Sequence, residues 1–553
     1  MALSTIEHLP DELLSTIFER PEVTLSSLYA AAKVSRRLHF FIMPLYLSRF
    51  HIKDPTGTVT ITLADYPIPE PDALCGLNLA LSVTHIDYLI VQFEPTEDET
   101  ERQDELFVVR RHLNRLRQFL ERMKRIRKIT FKFKTSACCC CFGDAVDEEL
   151  YDWTVDFSEL MNTILATECE ELEVQGARYM VHSYSYRTGS DVVEKPPGAL
   201  KSFKNLFGKK SDKDHLDEEE GNDNVLKGSG WHFARAKGTG DRVSMCYVPV
   251  ELARSSKLKV LDIQTVMFAI PPVSSWTMAV LRYGNIQTLS LSGLAFNRRL
   301  WVTVWDLIAT AAPNLPELKL SRLKQVGATE LAQFLCRLTK LRSLHIAKSV
   351  EAYDSYDMDS LTDFPYLEKL YAPAGWVSKL LQNNRFGLVR LRTLGIVYHM
   401  RNDGFSHWLR RSYPPTIPTL LKEQQRPLTI SLDVYIGNNP GWRMSDDISS
   451  AMDADRPNLQ EVTSLTLIMN ESFKVADLPL DRVLPQWLSL FYGLTRLEIR
   501  TSERAMSPER GKALMQLLYD SGALAAIQTV ELNGEELHLN GASEAISDSV
   551  ALA

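Results

Sequence analysis

Long apolar runs are missing from this 553-residue chain, so no stretch has the length that a membrane-spanning helix needs. The first residues lack the apolar core of a secretion signal, because Glu7, Asp11, Glu12 and Glu19 interrupt it. Cysteine is scarce and badly placed for cross-linking. Of eight, four are consecutive, Cys138 to Cys141, and Cys75, Cys169, Cys246 and Cys336 are scattered. That is no disulfide framework, and it suits a reducing compartment, the cytoplasm or the nucleus. Four adjacent thiols cannot all ligate one zinc ion without severe backbone strain, so no metal site is expected. The run reads as a tolerated surface loop, with reactive or lipid-modifiable thiols as the alternative. Positive charge is not in excess either. Lys and Arg number 62 against 70 Asp and Glu, a net charge of −8, which excludes a global attraction to nucleic acid or to an anionic membrane. A Gly-rich phosphate loop, a G-x-S-x-G elbow and an H-E-x-x-H pair are all absent. The expectation is a protein that is not an enzyme and needs no cofactor.

With 45 % apolar and 24 % charged residues the composition is that of an ordinary soluble folded protein, long enough for several domains or one elongated one. The most module-like stretch is LPDELLSTIFERPEVTLSSLYAAAKVSRRLHFFIMP, from Leu9 to Pro44. Three short helices fit it. Pro10 suits the first position of a helix whose Leu13, Leu14, Ile17 and Phe18 form an apolar stripe, and Pro21 stops it. Thr24 caps a second helix with Leu25, Leu28, Tyr29 and Ala32; Ser35 caps a third with Leu38, Phe41 and Ile42, ended by Pro44. So short a unit buries its apolar surface poorly and needs the rest of the chain or a partner.

This stretch resembles the F-box, the helical module that docks substrate receptors onto a Skp-type adaptor of cullin–RING ubiquitin ligases. The resemblance rests on Leu9-Pro10, Leu13-Leu14, Ile17-Phe18, Leu25, Leu28 and Val34-Ser35-Arg36-Arg37. It implies that Leu9, Pro10, Leu13, Leu14, Ile17, Phe18, Leu25, Leu28 and Val34 meet the adaptor, and through it a cullin. The sequence departs from the family at Leu38, where a Trp or another large residue often stands. The alternative is a helical cap on a repeat array.

Strand and helix patterns then alternate. Strands are predicted around Val59, Ile61 and Leu63, at 83–92, through IRKITFKF and through CEELEVQG; a Pro-rich loop (Pro67, Pro69, Pro71) separates the first two. Helices are predicted from Leu106 to Met123 and from Leu160 to Ala166. Residues 185–245 are rich in Gly, Ser and charge, with an acidic run at Asp217 to Glu220, and read as a disordered insertion. Beyond it the pattern apolar-x-x-apolar-x-apolar recurs, centred on Leu261, Leu289, Leu318, Leu344, Leu370 and Leu394 at intervals of 24 to 29 residues, and again on Leu465, Leu497 and Val530. Between Leu394 and Leu465 one degenerate strand, PLTISLDV, is expected. In one unit Thr329 caps a helix with Leu331, Phe334, Leu335 and Leu338 inward; in the last, Ser507 caps one with Leu514, Leu517 and Leu518 inward.

The array resembles irregular leucine-rich repeats, such as follow the F-box in fungal F-box/LRR proteins. The Asn or Cys of a regular ladder is mostly replaced, by Val266, Leu294, Leu323 and Ser349, with Asn470 the one match. The reading is an α/β chain: an F-box-like helical domain at 1–48, irregular strand/helix repeats at 49–184, the insertion at 185–245, a leucine-rich-repeat-like solenoid at 246–540 and a flexible tail at 541–553. A generic α/β domain is the alternative. The resemblance implies a substrate-recognition subunit of an SCF-type ligase; the alternative is a repeat scaffold with no ligase role. Strand-flanking positions are expected to face a protein target, with Lys319, His345, Tyr371, Arg496 and Arg500 the candidates. No nucleic-acid or membrane partner is expected. Residues 110–134 hold eleven Lys or Arg and one acid, Glu121. They read as the solvated face of a helix and strand, with an acidic or phosphate-bearing ligand as the alternative.

Overall fold

A computed structural model describes residues 6, 9–64, 71–80, 82–94, 105–133, 147–176, 184–188, 231–235, 245–347, 350, 364–383, 388–399, 429–436, 462–469, 484, 485, 488, 491–501, 508–520 and 527–537. The Cys138 to Cys141 run, the acidic run at Asp217 to Glu220, Ser349, Asn470, Ser507 and the tail at 541–553 lie outside them. The architecture is mixed α/β, and the chain divides into two compact units, Met1–Pro313 and Asn314–Ala553. That division falls within 246–540, while the N-terminal helices belong to the first unit.

The first unit opens with α1 (Asp11–Phe18), α2 (Leu25–Ala31) and α3 (Arg36–Ser48). Two expected caps form: the Thr24 hydroxyl accepts from the Ser27 N–H and the Ser35 hydroxyl from the Leu38 N–H. Pro10 is the residue before α1 rather than its first, and its carbonyl accepts from the N–H groups of Leu13 and Leu14, both at 3.1 Å. Pro44 does not end α3, which runs on to Ser48. Proline removes one donor and frees the Phe40 carbonyl, but Phe40 and Pro44 are both exposed, while Met43, Tyr46 and Leu47 are buried. Burial of those three, at about 1.5–3 kcal/mol per large side chain, outweighs the roughly 3 kcal/mol of an interior proline.

Six parallel strands follow in chain order: β1 (Thr58–Ala64), β2 (His85–Glu94), β3 (Arg125–Phe133), β4 (Glu171–Gln175), β7 (Val260–Gln264) and β8 (Thr288–Ser292). Their inward residues stand in register: Val59, Leu89, Ile129, Leu172, Leu261 and Leu289 form one row, each fully buried. The crossovers carry α4 (Ala73–Leu79), α5 (Glu105–Glu121), α6 (Asp147–Ala166), α7 (Val250–Ser255) and α8 (Ser274–Tyr283), and α9 (Arg298–Ala311) follows β8. Helix α4 stands where only a loop was expected. Its signal was local: Asp72 caps it by accepting from the Cys75 N–H at 2.9 Å, ahead of Ala73, Leu74 and Leu77. Helix α6 begins thirteen residues before the expected Leu160, because Trp153 and Phe157 stack one turn apart at 4.7 Å and carry the apolar stripe backwards. The insertion is not wholly irregular. Strands β5 (Tyr184–Thr188) and β6 (Trp231–Arg235) pair antiparallel, since five ladder positions on each side satisfy one another's backbone groups.

The second unit holds β9 (Glu317–Ser321), β10 (Ser343–Ile346), β11 (Lys369–Pro373), β12 (Thr393–His399), β13 (Thr429–Ile436), β14 (Val462–Met469), β15 (Arg496–Thr501) and β16 (Thr529–Leu532), parallel and in chain order, with β17 (Glu535–Leu537) turning back antiparallel on β16. Strand β13 is the expected degenerate one. A bulge between β13 and β14 leaves Thr463 out of register, and its hydroxyl accepts from the Ile430 N–H at 3.1 Å. The described helices are α10 (Ala328–Arg337), α11 (Ala374–Asn383) and α12 (Pro508–Asp520). Gly327, not Thr329, precedes α10, and no side chain caps it. In α12, Leu514 and Leu518 are buried but Leu517 faces out, a turn position away from the buried stripe. At the ladder positions Val266, Leu294 and Leu323 are buried apolar contacts, so packing replaces an asparagine ladder there.

Tyr46 joins α3 to the first crossover, its ring lying against Gly76 of α4, where a Cβ would stand 2.4 Å from the ring. Gly76→Ala therefore forces α3 and α4 apart and lowers unfolding stability by about 1–3 kcal/mol in denaturant melts. Gly375→Ala in α11, where a Cβ meets nothing within 4 Å, leaves the melt unchanged or slightly stabilised.

Candidate functional site

The N-terminal helices divide the expected contact residues into two sets. Leu14, Phe18 and Leu28 are buried within the chain, so they hold the module together and are not available to a partner. Leu13 is 49 % exposed, Ile17 36 % and Val34 65 %; Leu9 and Leu25 are half-buried and Pro10 is exposed. Of eleven exposed large apolar side chains among the described residues, five (Ile6, Leu13, Ile17, Val34 and Phe40) lie in the first forty positions. Leu38 is almost fully buried, a core residue of α3 rather than a surface one. Arg37 pins α1 to α3, donating to the Leu9 carbonyl at 2.7 Å and to Asp11 at 2.5 Å. Arg49 donates to the Arg20 carbonyl at 3.1 Å, near the end of α1. Arg49 thus supplies a cation beyond the C-terminal end of α1, whose last turn has no basic residue of its own, whereas Arg37 acts at the helix's start.

The second site lies on the polar face of the second unit's sheet. Lys319, His345 and Tyr371 stand directly opposite one another on β9, β10 and β11, and the row continues through Gly395, Ser431, Ser464 and Arg496. The sequence candidates thus share one row, apart from Arg500, four residues further along β15. The rings of His345 and Tyr371 meet edge to face at 5.7 Å. Tyr371 lies across Gly395, where a Cβ would stand 1.9 Å from its ring. Burial lowers the pKa of His345, with the Lys319 ammonium adding to this and Glu317 opposing it; its Nε2 is buried with no hydrogen-bond partner among the described residues. Burial raises the pKa of Tyr371, and Asp433 adds to it. Asp433 is itself raised by burial, against hydrogen bonds from Ser431 and Thr466 and the charge of Arg500, with Glu498 adding to the rise. Glu498 is buried and held by both Arg500 nitrogens, at 2.5 and 3.1 Å, and Arg496 pairs with Glu531 at 2.7 Å. Sequence reasoning missed Glu498 as a buried acid and Asp433 as a half-buried one, because each stands in a strand whose alternation marks it only as outward.

In the first unit the matching face centres on Glu173. Thr130 donates to it at 3.1 Å, Gln264 at 3.0 Å and Gln175 also donates, while Lys128 pairs with it at 3.2 Å. Burial pushes this carboxylate up, but those donors hold it below its usual value. The adjacent Asp262 is raised by burial against hydrogen bonds from Ser290 and Gln264. Part of the basic stretch at 110–134 is paired within the unit. Arg110 pairs with Asp152 and Asp156, Arg115 with Asp72 at 2.6 Å, Arg117 with Glu159, and Arg125 with Glu170 at 3.2 Å. Arg111 and Lys124 keep an exposed face, while α6, the residue before β4 and the cap of α4 supply carboxylates to the arginines named. Among the described residues no group of His, Cys, Asp and Glu is arranged to hold a metal ion, and no helix is long and apolar enough to cross a membrane.

Removing the ring that covers His345 tests this geometry. Tyr371→Ala, and Gly395→Ala by displacing the ring, raise the His345 pKa towards the ordinary value near 6.5, read from its imidazole shifts in an NMR titration. No protein-family signature matches the chain, and no curated protein matches it.

Proposed function

We propose that the chain is a non-catalytic substrate receptor of an SCF-type ubiquitin ligase. In this reading the N-terminal helices are an F-box-like module that binds a Skp-type adaptor, and through it a cullin. The parallel strand–helix units are irregular leucine-rich repeats that hold a target protein. The observation that carries the reading is the exposure of Leu13, Ile17, Val34 and Phe40 on a module whose own core is complete. Leu13 and Ile17 stand one turn apart on α1, and exposed apolar side chains that adjoin in this way mark a protein contact more often than plain surface. The row from Lys319 through His345 and Tyr371 to Arg496 is the proposed target face, polar and carrying a cation at each end, with the acids Asp433 and Glu498 two positions further along their strands. Ubiquitin transfer would occur on other subunits, and the receptor contributes by positioning the target.

A second reading has an observation of its own. The Tyr46 hydroxyl lies 2.8 Å from the Pro71 carbonyl and 2.9 Å from the Asp72 carbonyl, and Arg115 ties Asp72 to α5, so α3 is built into the first repeat. That favours a helical cap on a scaffold with no ligase role.

Two variants separate these readings. Leu13→Asp with Ile17→Asp abolishes co-purification with the adaptor while the melting curve stays within about 0.5 kcal/mol of wild type. Recovery of equal adaptor by variant and wild type overturns the receptor reading. Leu14→Asp buries an unpaired charge and unfolds the module whichever reading holds. Deleting residues 1–48 unfolds the first unit if the helices are only a cap.

A further inference from the structure

Five cations line the N-terminal ends of three adjacent strands in the second unit: Lys340 and Arg342 before β10, Lys369 at the start of β11, and Arg390 and Arg392 before β12. All five are exposed. Among the described residues no carboxylate lies within ion-pair distance of any of them. Two acids stand nearby among the described residues. Glu368 lies between Arg342 and Arg392, its N–H donating to the Arg342 carbonyl at 2.8 Å and its carbonyl accepting from the Arg392 N–H at 2.9 Å. Glu317, on β9, is taken by Lys319 at 2.9 Å. The excess is therefore positive. The corresponding edge of the first unit is different: Arg125 and Lys259 both pair with Glu170, and Arg127 with Asp87.

One aromatic ring organises the patch. Lys340 lies over the Tyr366 ring at 4.7 Å and Arg390 over it at 4.8 Å. Lys340 precedes β10 and Arg390 precedes β12, the two strands that flank β11. The ring offsets their mutual repulsion. Two consequences follow for a ligand. The five cations are spread over three strands, so a ligand that meets them all must present several anions in sequence. Tyr366 already engages two cations, and a single ring does not supply the succession of stacking platforms that single-stranded nucleic acid uses.

We propose that this edge binds an extended acidic segment of a partner protein, its Asp and Glu carboxylates spaced along the three strands. Strands about 4.8 Å apart set the cations in pairs on the two sides of β11, Arg342 and Arg392 about Glu368 and Lys340 and Arg390 about Tyr366, with Lys369 on β11 itself, and the three arginines offer forked donors to carboxylates. The proposal stands on this edge alone and requires no adaptor.

The test uses the full-length chain and a fluorescein-labelled peptide of alternating Glu and Ser, followed by fluorescence anisotropy at low and at physiological salt. Wild type binds the peptide, more weakly as salt rises. Lys340→Glu with Arg390→Glu weakens binding by about tenfold or more at an unchanged melting temperature, since both residues are exposed. Tyr366→Phe keeps the ring and the affinity, whereas Tyr366→Leu loses several-fold. Leu13→Asp with Ile17→Asp leaves peptide binding untouched, which separates this proposal from the receptor reading. Absence of binding by wild type, equal binding by the Lys340→Glu, Arg390→Glu variant, or a polyuridine strand bound as tightly as the peptide overturns the proposal.

Discussion

A strand of four or five residues cannot bury its own leucines. It presents two or three apolar side chains to one side, and these leave water only if strands on either side bring theirs into the same row. In the first unit Leu89, Ile129, Leu172, Leu261 and Leu289 meet this condition, and in the second Leu318, Leu344, Leu370, Leu394 and Ile430 do. Parallel register is the constraint on which everything else rests. It sends each connection back across the core, where most described crossovers carry a helix, and it places every second residue of every strand on a common polar face. The functional candidates on that face are a consequence of the leucine rows beneath them.

The same register brings charges together that are far apart in the chain. Glu173 gathers donors from β3 and β7 as well as from its own strand, and Arg110, Arg115 and Arg117 on α5 reach acids on α6 and at the cap of α4. Part of a stretch with a large local positive charge thereby becomes an internal ion-pair network. The second unit leaves a different balance, with paired charges along β15 and, at the ends of β10, β11 and β12, cations that have no carboxylate at ion-pair distance among the described residues. Where a cation has a carboxylate on the neighbouring strand it is structural; where it has none it is available to something else.

Much of the strand pattern was legible in advance. The residues around Leu261, Leu289, Leu318, Leu344 and Leu394 announce strands because alternation has a period of two and the spacing is set by one strand and one helix. Thr24 and Ser35 announce helix starts because capping is local. Helix α4 was hidden, since seven residues with a glycine among them carry almost no periodicity, and α6 was read too short because its first half is acidic. Pro44 misled because the rule against interior proline is a preference that buried Met43, Tyr46 and Leu47 overcome. Of the candidate target residues, Lys319, His345 and Tyr371 could be placed on one face from the strand pattern alone, whereas Glu498 could not be recognised as buried nor Asp433 as half-buried.

By itself the sequence determined that the N-terminal stretch is three short helices with more apolar surface than they can hide, because caps, breakers and a 3.6-residue stripe are all local properties. It could not say which apolar residues stay outside. Leu13 and Leu14 are neighbours of equal hydrophobicity, and Ile17 and Phe18 likewise, each pair about 100° apart around the helix. Only the packing of α1 against its neighbours decides that Leu14 and Phe18 go in and Leu13 and Ile17 stay out, and that Leu38 is core. The choice is tertiary because it depends on where α3 lies, and α3 is held by Tyr46 against a glycine thirty residues further along the chain.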